Sequence, residues 1–298
     1  MPEVSEIAVL VNYLSNVINL NFESIEILSG KYLNKPIKNI DKLKKNSKLI
    51  NISSKGKLLC FEFDNDTFLT SHLGLTGFWN YDSDENDRLT LTFSNKTKKI
   101  ILYYNDPRNF GNVEILNKKE FNNKLNLLAM DALKYEYSFD DFQTNVTNYI
   151  NKSKTRTKQP IYKVLMEQTK IKGIVSGLGN YLTPEILYDC HLSPYREIGN
   201  IKHDELKHLY YSIKYITKLS YYNNNTGYMT HFNNFIQVNK QNIDDGIFQN
   251  YHPDIKIGNS EEFKFKVYKQ KQTPNGSTVQ IDKQPNGRSL YWSPNEQK

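Results

Sequence analysis

The residues best suited to carry out a reaction stand at the start of the chain, where Pro2 follows the initiator methionine and Glu3 comes next. A small second residue such as proline permits removal of that methionine, which leaves a secondary amine. An α-amino group titrates near pH ~7.7–8.0, so part of it is neutral and nucleophilic at physiological pH. Its attack on a sugar or carbonyl carbon gives an iminium that draws electrons in a later elimination, and Glu3 is placed to move the protons. The alternative is an ordinary helix start, because proline and acidic residues are common in a first helical turn.

Lys57 is a second candidate because it opens an apolar run. Lys57, Leu59, Phe61 and Phe63 alternate along the chain and would share one face of a strand. Lysine is seldom buried unless it is paired. Its ammonium therefore either extends to water, which is the usual outcome, or points into a site as a proton donor or phosphate contact.

Two glycine-containing loops carry side chains suited to wedging into a base stack. They are residues 71–77 (SHLGLTG) and residues 106–111 (DPRNFG). Glycine permits tight turns that push Leu75, Arg108 and Phe110 outward, and apolar or arginine tips of this kind insert between bases. Ordinary hairpin turns explain each loop equally well when it is taken alone.

Two further stretches offer hydrogen-bond donors to phosphate. Residues 173–181 (GIVSGLGNY) form a compact double turn whose backbone N–H groups and Asn180 side chain can face an anion. The spacing is not that of a P-loop, so the glycines alone say little. Arg288 follows an Asn286-Gly287 hairpin signal and either reaches a groove or phosphate or is a solvated turn arginine.

Composition narrows the class of protein. The 298 residues are 38% hydrophobic with a net charge of +7 and a pI near 9.0. These values fit a protein that binds a polyanion such as nucleic acid, and they fit a merely soluble basic protein equally well.

Cys60 and Cys190 stand far apart, so we expect neither a disulfide framework nor a cysteine zinc site. Two isolated cysteines of this kind indicate a reducing compartment. No apolar run approaches the roughly 20 residues of a membrane span. With Glu3 and Glu6 in place of a basic leader, we expect an intracellular protein that does not contact a membrane.

The elements that must position these groups change along the chain. Residues 2–18 read as one amphipathic helix, since Val4, Ile7 and Val11 recur at helical spacing, and Pro2 is thereby held at a packed helix end. Closely spaced short runs follow, which predict an antiparallel sandwich or barrel. The seven predicted strands cover residues 48–52, 57–63, 68–73, 78–81, 88–93, 100–104 and 112–116.

The second part of the chain reads as helical. The predicted helices cover residues 121–128, a segment capped by Ser138 and Asp141, residues 161–170, a segment opened by Thr183 and Pro184, and residues 206–222. Residues 223–262 read as a long irregular loop, and strands return at 263–270 and 277–282. We therefore predict an α+β fold in which an N-terminal helix and antiparallel β-sandwich domain precede a helical helix-two-turn-helix domain that ends in a β-hairpin finger. The predicted segments are 1–120, 121–150 (linker and first helices), 151–262 and 263–298.

In this order, the stretches resemble the formamidopyrimidine-DNA glycosylase/endonuclease VIII (Fpg/Nei) family of base-excision repair enzymes over essentially the whole chain. The stretches that carry the resemblance are Met1-Pro2-Glu3 with Glu6, Lys55-Gly56-Lys57, residues 71–74, residues 106–111, Gln159-Pro160-Ile161 leading to residues 177–181, and Arg288 with residues 291–294. Each is weak alone, and the set is highly specific.

The resemblance implies a bifunctional DNA glycosylase/AP lyase that acts, as a monomer, on double-stranded DNA with an oxidised base or abasic site. The damaged nucleotide is flipped out, Pro2 attacks the sugar C1′ with help from Glu3, and the iminium drives β- and δ-elimination. The residues that the resemblance assigns are the catalytic set Pro2, Glu3, Lys57 and Arg288, the DNA-binding set Glu6, His72, Asn180, Arg288 and Lys57, and the void-filling set Leu75, Arg108 and Phe110. Oxidised pyrimidines and hydantoins are the expected lesions.

Three departures from the family pattern bear on these expectations. Ser5 replaces a frequent second proline, and Leu75 replaces the usual methionine, with little expected effect. Ser293 and Glu296 stand where the last two cysteines of a zinc finger would be. We therefore expect no zinc and no other cofactor, and a likeness to the zincless-finger branch, above all to the Nei-like proteins of giant viruses.

Two other interpretations compete with this one. A protein that binds damaged or abasic DNA without cutting it would use the same basic features, although it would not need an N-terminal amine beside Glu3 and Lys57. A tautomerase with a catalytic N-terminal proline would need neither Arg288 nor the loop at 106–111.

Overall fold

The computed structural model describes residues 1–134, 137–232, 235–258, 260–285 and 287–298. The chain forms two compact units. The first unit contains residues 1–2 and 6–126, and the second contains residues 3–5 and 127–298. The four predicted segments are finer than this division and stay a prediction.

The N-terminal helix α1 spans Val4–Tyr13 and continues as a 3-10 helix over Leu14–Val17. Its apolar positions are fully enclosed, as Ile7, Leu10 and Leu14 all have 0% exposure. The predicted helix is therefore confirmed in place, although its last turn is tightened. Asn19, with a φ of +70°, then turns the chain into the first strand.

The first unit is built from two four-stranded antiparallel sheets. The strands are β1 (Asn21–Ile27), β2 (Leu49–Lys55), β3 (Leu58–Phe63), β4 (Thr67–His72), β5 (Phe78–Asn80), β6 (Asp87–Ser94), β7 (Lys99–Asn105) and β8 (Asn112–Asn117). One sheet has the order β1-β6-β7-β5 and the other β2-β3-β4-β8. All seven predicted strands are confirmed. The eighth, β1, was missed because it is an edge strand in which only Phe22 is buried, so it carries no apolar pattern.

Aromatic side chains join the two sheets. The Phe61 ring lies 5.4 Å from that of Trp79, and Phe22 lies 6.0 Å from Phe63. The Trp79 indole also donates a hydrogen bond of 3.0 Å to the Ser71 hydroxyl, which satisfies its buried N–H. Two short helices complete the unit, α2 (Lys31–Asn34) and α3 (Lys118–Leu127).

The second unit is mainly helical. Its helices are α4 (Phe139–Ile150), α5 (Lys154–Thr157), α6 (Ile161–Met166), α7 (Leu182–Asp189), α8 (His203–Asn223) and α9 (Phe235–Asp244), with a 3-10 helix at Gly227–Phe232. A short parallel pair, β9 (Met130–Asp131) and β10 (Val175–Ser176), precedes the double turn. The capping box of Ser138 and Asp141 is present as predicted.

The long loop predicted at 223–262 is wrong in part, because it contains α9 and the 3-10 helix. Ile236, Asn239 and Ile243 form the buried face of α9. Asn239 is fully buried and its amide donates to the Tyr221 carbonyl oxygen at 3.3 Å. A polar residue at a core position hides the helical pattern from the sequence.

The tail differs from prediction at its start. Residues 263–270 are not a strand. The N–H groups of Lys266, Val267 and Tyr268 instead donate to the buried Glu185 carboxylate at 2.8–3.0 Å. The hairpin itself is confirmed and consists of β11 (Gln280–Lys283) and β12 (Ser289–Trp292). We call this hairpin with its loop the finger; Asn286 of the predicted turn lies outside the described residues.

Candidate active site and nucleic-acid interface

Glu3 is fixed at the start of α7. Its carboxylate accepts hydrogen bonds from the N–H groups of Tyr181 at 2.9 Å and Leu182 at 3.3 Å, and it is 1% exposed. The N–H of Val4 donates to the Gly177 carbonyl oxygen at 3.0 Å. A helix N-terminus stabilises negative charge through its unpaired N–H groups and its dipole. Glu3 is thus held as a carboxylate directly beside Pro2 in sequence.

The double turn that receives Glu3 is shaped by Gln168, which sequence reasoning missed. The Gln168 amide donates to the Leu178 carbonyl at 2.9 Å and its oxygen accepts from the Gly177 N–H at 2.7 Å. Gly177 adopts a φ of +104°, which favours glycine. Asn180 is half-buried, and its side chain makes no hydrogen bond to the part of the chain that the structure describes. The role of its amide as a donor to phosphate stays a prediction.

Lys57 lies in the turn between β2 and β3 and does not open the strand, so its predicted strand position is wrong by one residue. Lys55 pairs with Leu58, which leaves Gly56 and Lys57 as a two-residue hairpin loop. Gly56 takes the positive φ of +55° that the first position of such a turn demands. Lys57 as a whole is 9% exposed, and its role in a site stays a prediction.

His72 is the last residue of β4 and is exposed. Its Nδ1 accepts a hydrogen bond from the Gly74 N–H at 3.2 Å. Partial desolvation, together with the positive charges of Lys57, Lys124 and Lys31, lowers the pKa of His72. The imidazole is therefore neutral at pH 7 and carries its proton on Nε2, which leaves an N–H donor for a phosphate oxygen.

The two predicted wedge loops lie against each other within the first unit. A Cβ placed on Gly74 would lie 2.6 Å from the Phe110 carbonyl carbon and 2.7 Å from the Gly111 nitrogen. Glycine is therefore required for the loops to touch backbone to backbone. The structure brings Leu75 together with the loop of Arg108 and Phe110.

The second loop is pinned by Asp106, which is 1% exposed. Its carboxylate accepts from the Gly111 N–H at 2.8 Å and its carbonyl accepts from the Asn109 N–H at 3.1 Å. Asn109 takes a φ of +54°, which asparagine tolerates better than most residues. The loop tip is exposed: Phe110 is 58% exposed, and the Arg108 guanidinium lies 5.5 Å from its ring centroid.

Arg88, at the start of β6, holds the same loop from inside and was predicted only as a strand residue. Its Nε donates to the Asp106 carbonyl at 2.8 Å and Nη2 donates to the Pro107 carbonyl at 3.2 Å. Its Nη1 donates to the Ser29 hydroxyl at 2.8 Å. Arg88 is 9% exposed, so its guanidinium relies on these partners. No sequence signal distinguishes it from any other strand arginine.

Lys31 also supports this loop. Its backbone N–H donates to the Asn109 side-chain oxygen at 3.3 Å, and its ammonium donates to the Gly111 carbonyl. Burial lowers the pKa of Lys31, an effect that the Asp106 charge opposes. This cation was also missed by sequence reasoning.

Arg288 lies at the end of the exposed finger loop in the second unit. The Arg288 carbonyl accepts from the Gln284 N–H at 2.8 Å, and Gly287 has a φ of +78°. The Asp282 carboxylate of β11 accepts hydrogen bonds from the Trp292 indole of β12 at 2.8 Å and from the Tyr195 hydroxyl at 2.6 Å. These bonds link the two strands of the finger to each other and to Tyr195. The predicted position of Arg288 beside a hairpin tip is therefore found.

Glu6 differs from the other predicted DNA-binding residues because it is 2% exposed within α1. A buried carboxylate needs polar partners, and at this exposure little of its side chain faces solvent. Its assignment to DNA binding stays a prediction.

The base of the finger does not fit a zinc ion. The Glu296 carboxylate accepts from the Thr273 hydroxyl at 2.5 Å, the Tyr188 hydroxyl at 2.7 Å and the Asn275 amide at 2.8 Å. These hydrogen bonds, that of Thr273 first, lower the pKa of Glu296 to about 2. Within the described ranges there is no group of three or more His, Cys, Asp or Glu able to hold a metal ion. Zinc prefers sulfur and imidazole ligands, whereas this cluster offers one carboxylate among hydroxyls and an amide.

Comparison with known proteins places this arrangement in a family. Residues 1–113 match the formamidopyrimidine-DNA glycosylase N-terminal domain, and residues 253–298 match the C-terminal domain. A formamidopyrimidine-DNA glycosylase of Wolbachia sp. subsp. Brugia malayi is 30% identical over 220 residues, which cover 72% of this chain and 76% of that protein. The Rickettsia conorii enzyme of the same name is 29% identical over 227 residues, again covering 72% and 76%. The chain belongs to the formamidopyrimidine-DNA glycosylase family.

Solved structures agree with this assignment at the level of the fold. The MutM (Fpg) protein from Thermus thermophilus superposes with a TM-score of 0.73 at 19% identity, covering 99% of this chain and 98% of that chain. The Lactococcus lactis Fpg bound non-covalently to DNA with an AP site gives 0.71 at 20% identity, with 99% of each chain covered. The predicted α+β fold class is therefore confirmed. Among the described residues, no helix is both long and apolar enough to cross a membrane.

Proposed function

We propose that this protein is a bifunctional DNA glycosylase/AP lyase of base excision repair, which removes oxidised bases through a Schiff base on Pro2 followed by β,δ-elimination. The observation that carries the proposal is the position of Glu3, a buried carboxylate held by the first N–H groups of α7 and adjacent in sequence to Pro2. A purely structural first turn has no need of a buried charge in that place. Membership of the family supports the same interpretation.

The reaction proceeds through the two groups at the start of the chain. After Met1 is removed, the neutral amine of Pro2 attacks C1′, and the bond from C1′ to the damaged base breaks, so that the base leaves with the electron pair and takes a proton from water. The amine proton passes to the Glu3 carboxylate, which the N–H groups of Tyr181 and Leu182 hold in place beside Pro2 in sequence. Glu3 returns that proton to O4′ as the C1′–O4′ bond breaks and the nitrogen lone pair forms the iminium. Loss of a C2′ proton then expels the 3′ phosphate, and a second elimination expels the 5′ phosphate.

The remaining predicted residues bind and hold the substrate. Lys57 and the Nε2–H of His72 in the first unit are donors for phosphate oxygens, as are Asn180 and Arg288 in the second. Leu75, Arg108 and Phe110 fill the space left by the flipped nucleotide. The contact between their loops, closed by Gly74, supports their action as one wedge. Double-stranded DNA is the proposed partner, and solved structures of the same fold include complexes with abasic-site DNA.

Oxidised pyrimidines and hydantoins are the proposed lesions, with weak activity on 8-oxoguanine. Solved structures of the same fold contain DNA with an oxidised pyrimidine in one case and with a carbocyclic 8-oxo-G in another, so the fold is compatible with either class. Comparing single-turnover rates on thymine glycol and on 8-oxoguanine opposite cytosine checks the proposal. A clearly higher rate on 8-oxoguanine would contradict it.

We further propose an intracellular monomer with a metal-free finger, as in the zincless branch to which the Nei-like proteins of giant viruses belong. The hydrogen-bonded cluster at Glu296 supports the metal-free finger. Elemental analysis of purified protein is expected to show no stoichiometric zinc. A zinc content near one per chain would overturn this part of the proposal.

Borohydride trapping on a duplex with one abasic site tests the central proposal. Wild type is expected to form a covalent adduct, Pro2→Gly to lose most of it, and Glu3→Gln to bind the duplex while trapping slowly. Mass spectrometry of the N-terminus shows whether Met1 has been removed. Tight binding without an adduct, by protein that begins at Pro2, would establish a non-catalytic damaged-DNA binding protein instead.

A further inference from the structure

The segment that joins α4 to the double turn is strongly basic. Residues 151–172 contain seven cationic side chains and a single acid, Glu167. The seven are Lys152, Lys154, Arg156, Lys158, Lys163, Lys170 and Lys172. Part of this segment encloses a cavity of about 310 Å³, which we call the basic pocket. The basic pocket is lined by Tyr149, Arg156, Gln159, Lys163, Val164, Glu167 and Lys172.

Arg156 supplies the fixed donor of the basic pocket. Its guanidinium lies 5.1 Å from the centroid of the Tyr149 ring, which restrains the guanidinium plane. Its Nη1 is buried and has no hydrogen-bond partner among the described residues. A buried donor without a partner is costly, and in a folded protein it usually marks the place of a water or an ion. The pocket therefore offers a preformed donor to an oxygen ligand.

The other charges make that ligand an anion. Lys163 and Lys172 are exposed at the pocket, and neither forms an ion pair within the described residues. Glu167 is the only acid of the lining, and the Glu167 charge contributes to the raised pKa of Tyr149. Three cations against one carboxylate leave a positive cavity whose fixed guanidinium suits a tetrahedral oxyanion.

We propose that the basic pocket binds a phosphate group, and that this phosphate belongs to the backbone of the duplex. It would be a contact additional to those of Lys57, His72, Asn180 and Arg288. The claim that the phosphate comes from DNA rests on the proposed DNA-binding function. The claim that the pocket binds an oxyanion rests on the pocket alone. Neither catalysis nor lesion choice depends on it.

The salt dependence of DNA binding tests the proposal. Each phosphate contact contributes about −0.9 to the slope of log K against log salt concentration. We expect the magnitude of that slope to fall by about 1 to 2, which corresponds to one or two phosphate contacts, in a triple variant. Its substitutions are Arg156→Gln, Lys163→Gln and Lys172→Gln. A control with the same charge change in the same unit, Lys207→Gln, Lys256→Gln, Lys271→Gln, replaces exposed lysines outside the pocket and is expected to change it less. Equal effects of the two variants would contradict a localised site.

Removing the negative charge of the pocket, instead of its positive charges, gives a second test. Glu167→Gln removes the one negative charge of the pocket lining and is expected to tighten DNA binding at fixed salt. If the triple variant does not fold, Lys172→Glu alone, at an exposed position, is expected to weaken binding and reduce the slope. Unchanged affinity in both single variants would overturn the proposal.

A second measurement separates the sources of phosphate. Inorganic pyrophosphate is added to free protein, and the Tm of wild type is compared with that of the triple variant. Stabilisation of wild type alone, with an unchanged DNA slope, would support the oxyanion site but overturn its assignment to DNA. No stabilisation and no slope change would overturn both. Wild type that neither binds duplex nor traps an abasic site would refute the proposed function, and pyrophosphate would still decide the pocket.

Discussion

The wedge loops of the first unit and the finger of the second unit both present side chains at the surface, yet they are held in different ways. The loops are fixed by buried groups: Gly74 and Gly111 allow backbone to touch backbone, and Asp106 and Arg88 are almost fully enclosed. The finger has two four-residue strands that the Asp282 carboxylate ties together, and the Glu296 carboxylate holds the segments next to the finger. Substitutions in the loops should therefore lower the stability of the protein more than substitutions in the finger. The effect of substitutions at the finger should also depend on pH.

Gly111→Ala is expected to have the largest effect. A Cβ at this position would lie 1.7 Å from the Tyr104 hydroxyl oxygen and 2.9 Å from the His72 carbonyl oxygen, and Tyr104 is fully buried. Overpacking costs about 1–3 kcal/mol and occasionally more, and we expect the upper end here because the clash involves a fully buried tyrosine and displaces both loops. Urea unfolding of the full chain measures the loss of stability, and abasic-site affinity measures the loss of the wedge.

Gly258→Ala is the control, since its Cβ would meet its nearest neighbour, a Glu261 side-chain oxygen, at an ordinary 3.4 Å. We expect it to change neither stability nor affinity noticeably. If Gly111→Ala behaved like this control, the loops would be far more compliant than their close contacts imply.

The same contrast explains what the sequence could predict. The seven strands were predictable because short apolar or alternating runs are separated by turn residues, and the loop positions of Leu75, Arg108 and Phe110 because glycines stand beside them. Arg88 and Gln168 were not predictable, since each acts through bonds to backbone groups 9–19 positions away. Residues 263–270 alternate like a strand, but the carboxylate of Glu185, about 80 positions away, takes their N–H groups instead. Side-chain-to-backbone contacts of this kind leave no periodic pattern.

Arg88→Met is expected to have the second largest effect. The substitution keeps most of the side-chain volume but removes the donors to Asp106, Pro107 and Ser29. Hydrogen bonds from a charged donor are worth about 1.5–3 kcal/mol each. Because the Asp106 carbonyl keeps the Asn109 N–H and Pro107 is exposed to water, we expect a loss of about 2 kcal/mol in total. Arg88→Lys should recover only part of it, because an ammonium lacks the fork of the guanidinium.

Measuring how far the wedge enters DNA shows whether Arg88 positions the wedge loops or only stabilises the fold. A fluorescent base analogue opposite an abasic site should be less unstacked by Arg88→Met than by wild type at saturating protein. Arg196→Met, which breaks the partly exposed ion pair with Glu205 in the second unit, is the matched control and should leave the signal unchanged. An unchanged signal in Arg88→Met would mean that Arg88 supports the fold without setting the wedge.

Glu296→Gln examines the finger and should destabilise less than Arg88→Met. The pKa of Glu296 is lowered to about 2 from a usual 4.5, so its contribution to stability is complete above about pH 4.5 and is lost as the pH falls towards 2. Wild type should therefore lose stability over this range more steeply than the variant, while a chelator should leave the Tm of both unchanged. Parallel pH profiles of the two proteins would show that the carboxylate does not hold the finger.

His72→Gln should have the smallest effect, because it removes one exposed donor at the edge of a pinned loop. The pKa of His72 is lowered, so the neutral ring is the form that suits its place, and the imidazole must give up the bond from Gly74 if its Nδ1 is protonated. A lowered folded pKa means that this contribution to stability is present above the unfolded pKa of about 6.5 and is lost as the pH falls below it. Wild type should lose slightly more stability than His72→Gln between pH 7.5 and pH 5.5, a window of about one unit on each side of that pKa. If the stability of wild type instead rose as the pH falls over this range, desolvation and the surrounding lysines would not keep His72 neutral, and the charged ring would make the phosphate contact.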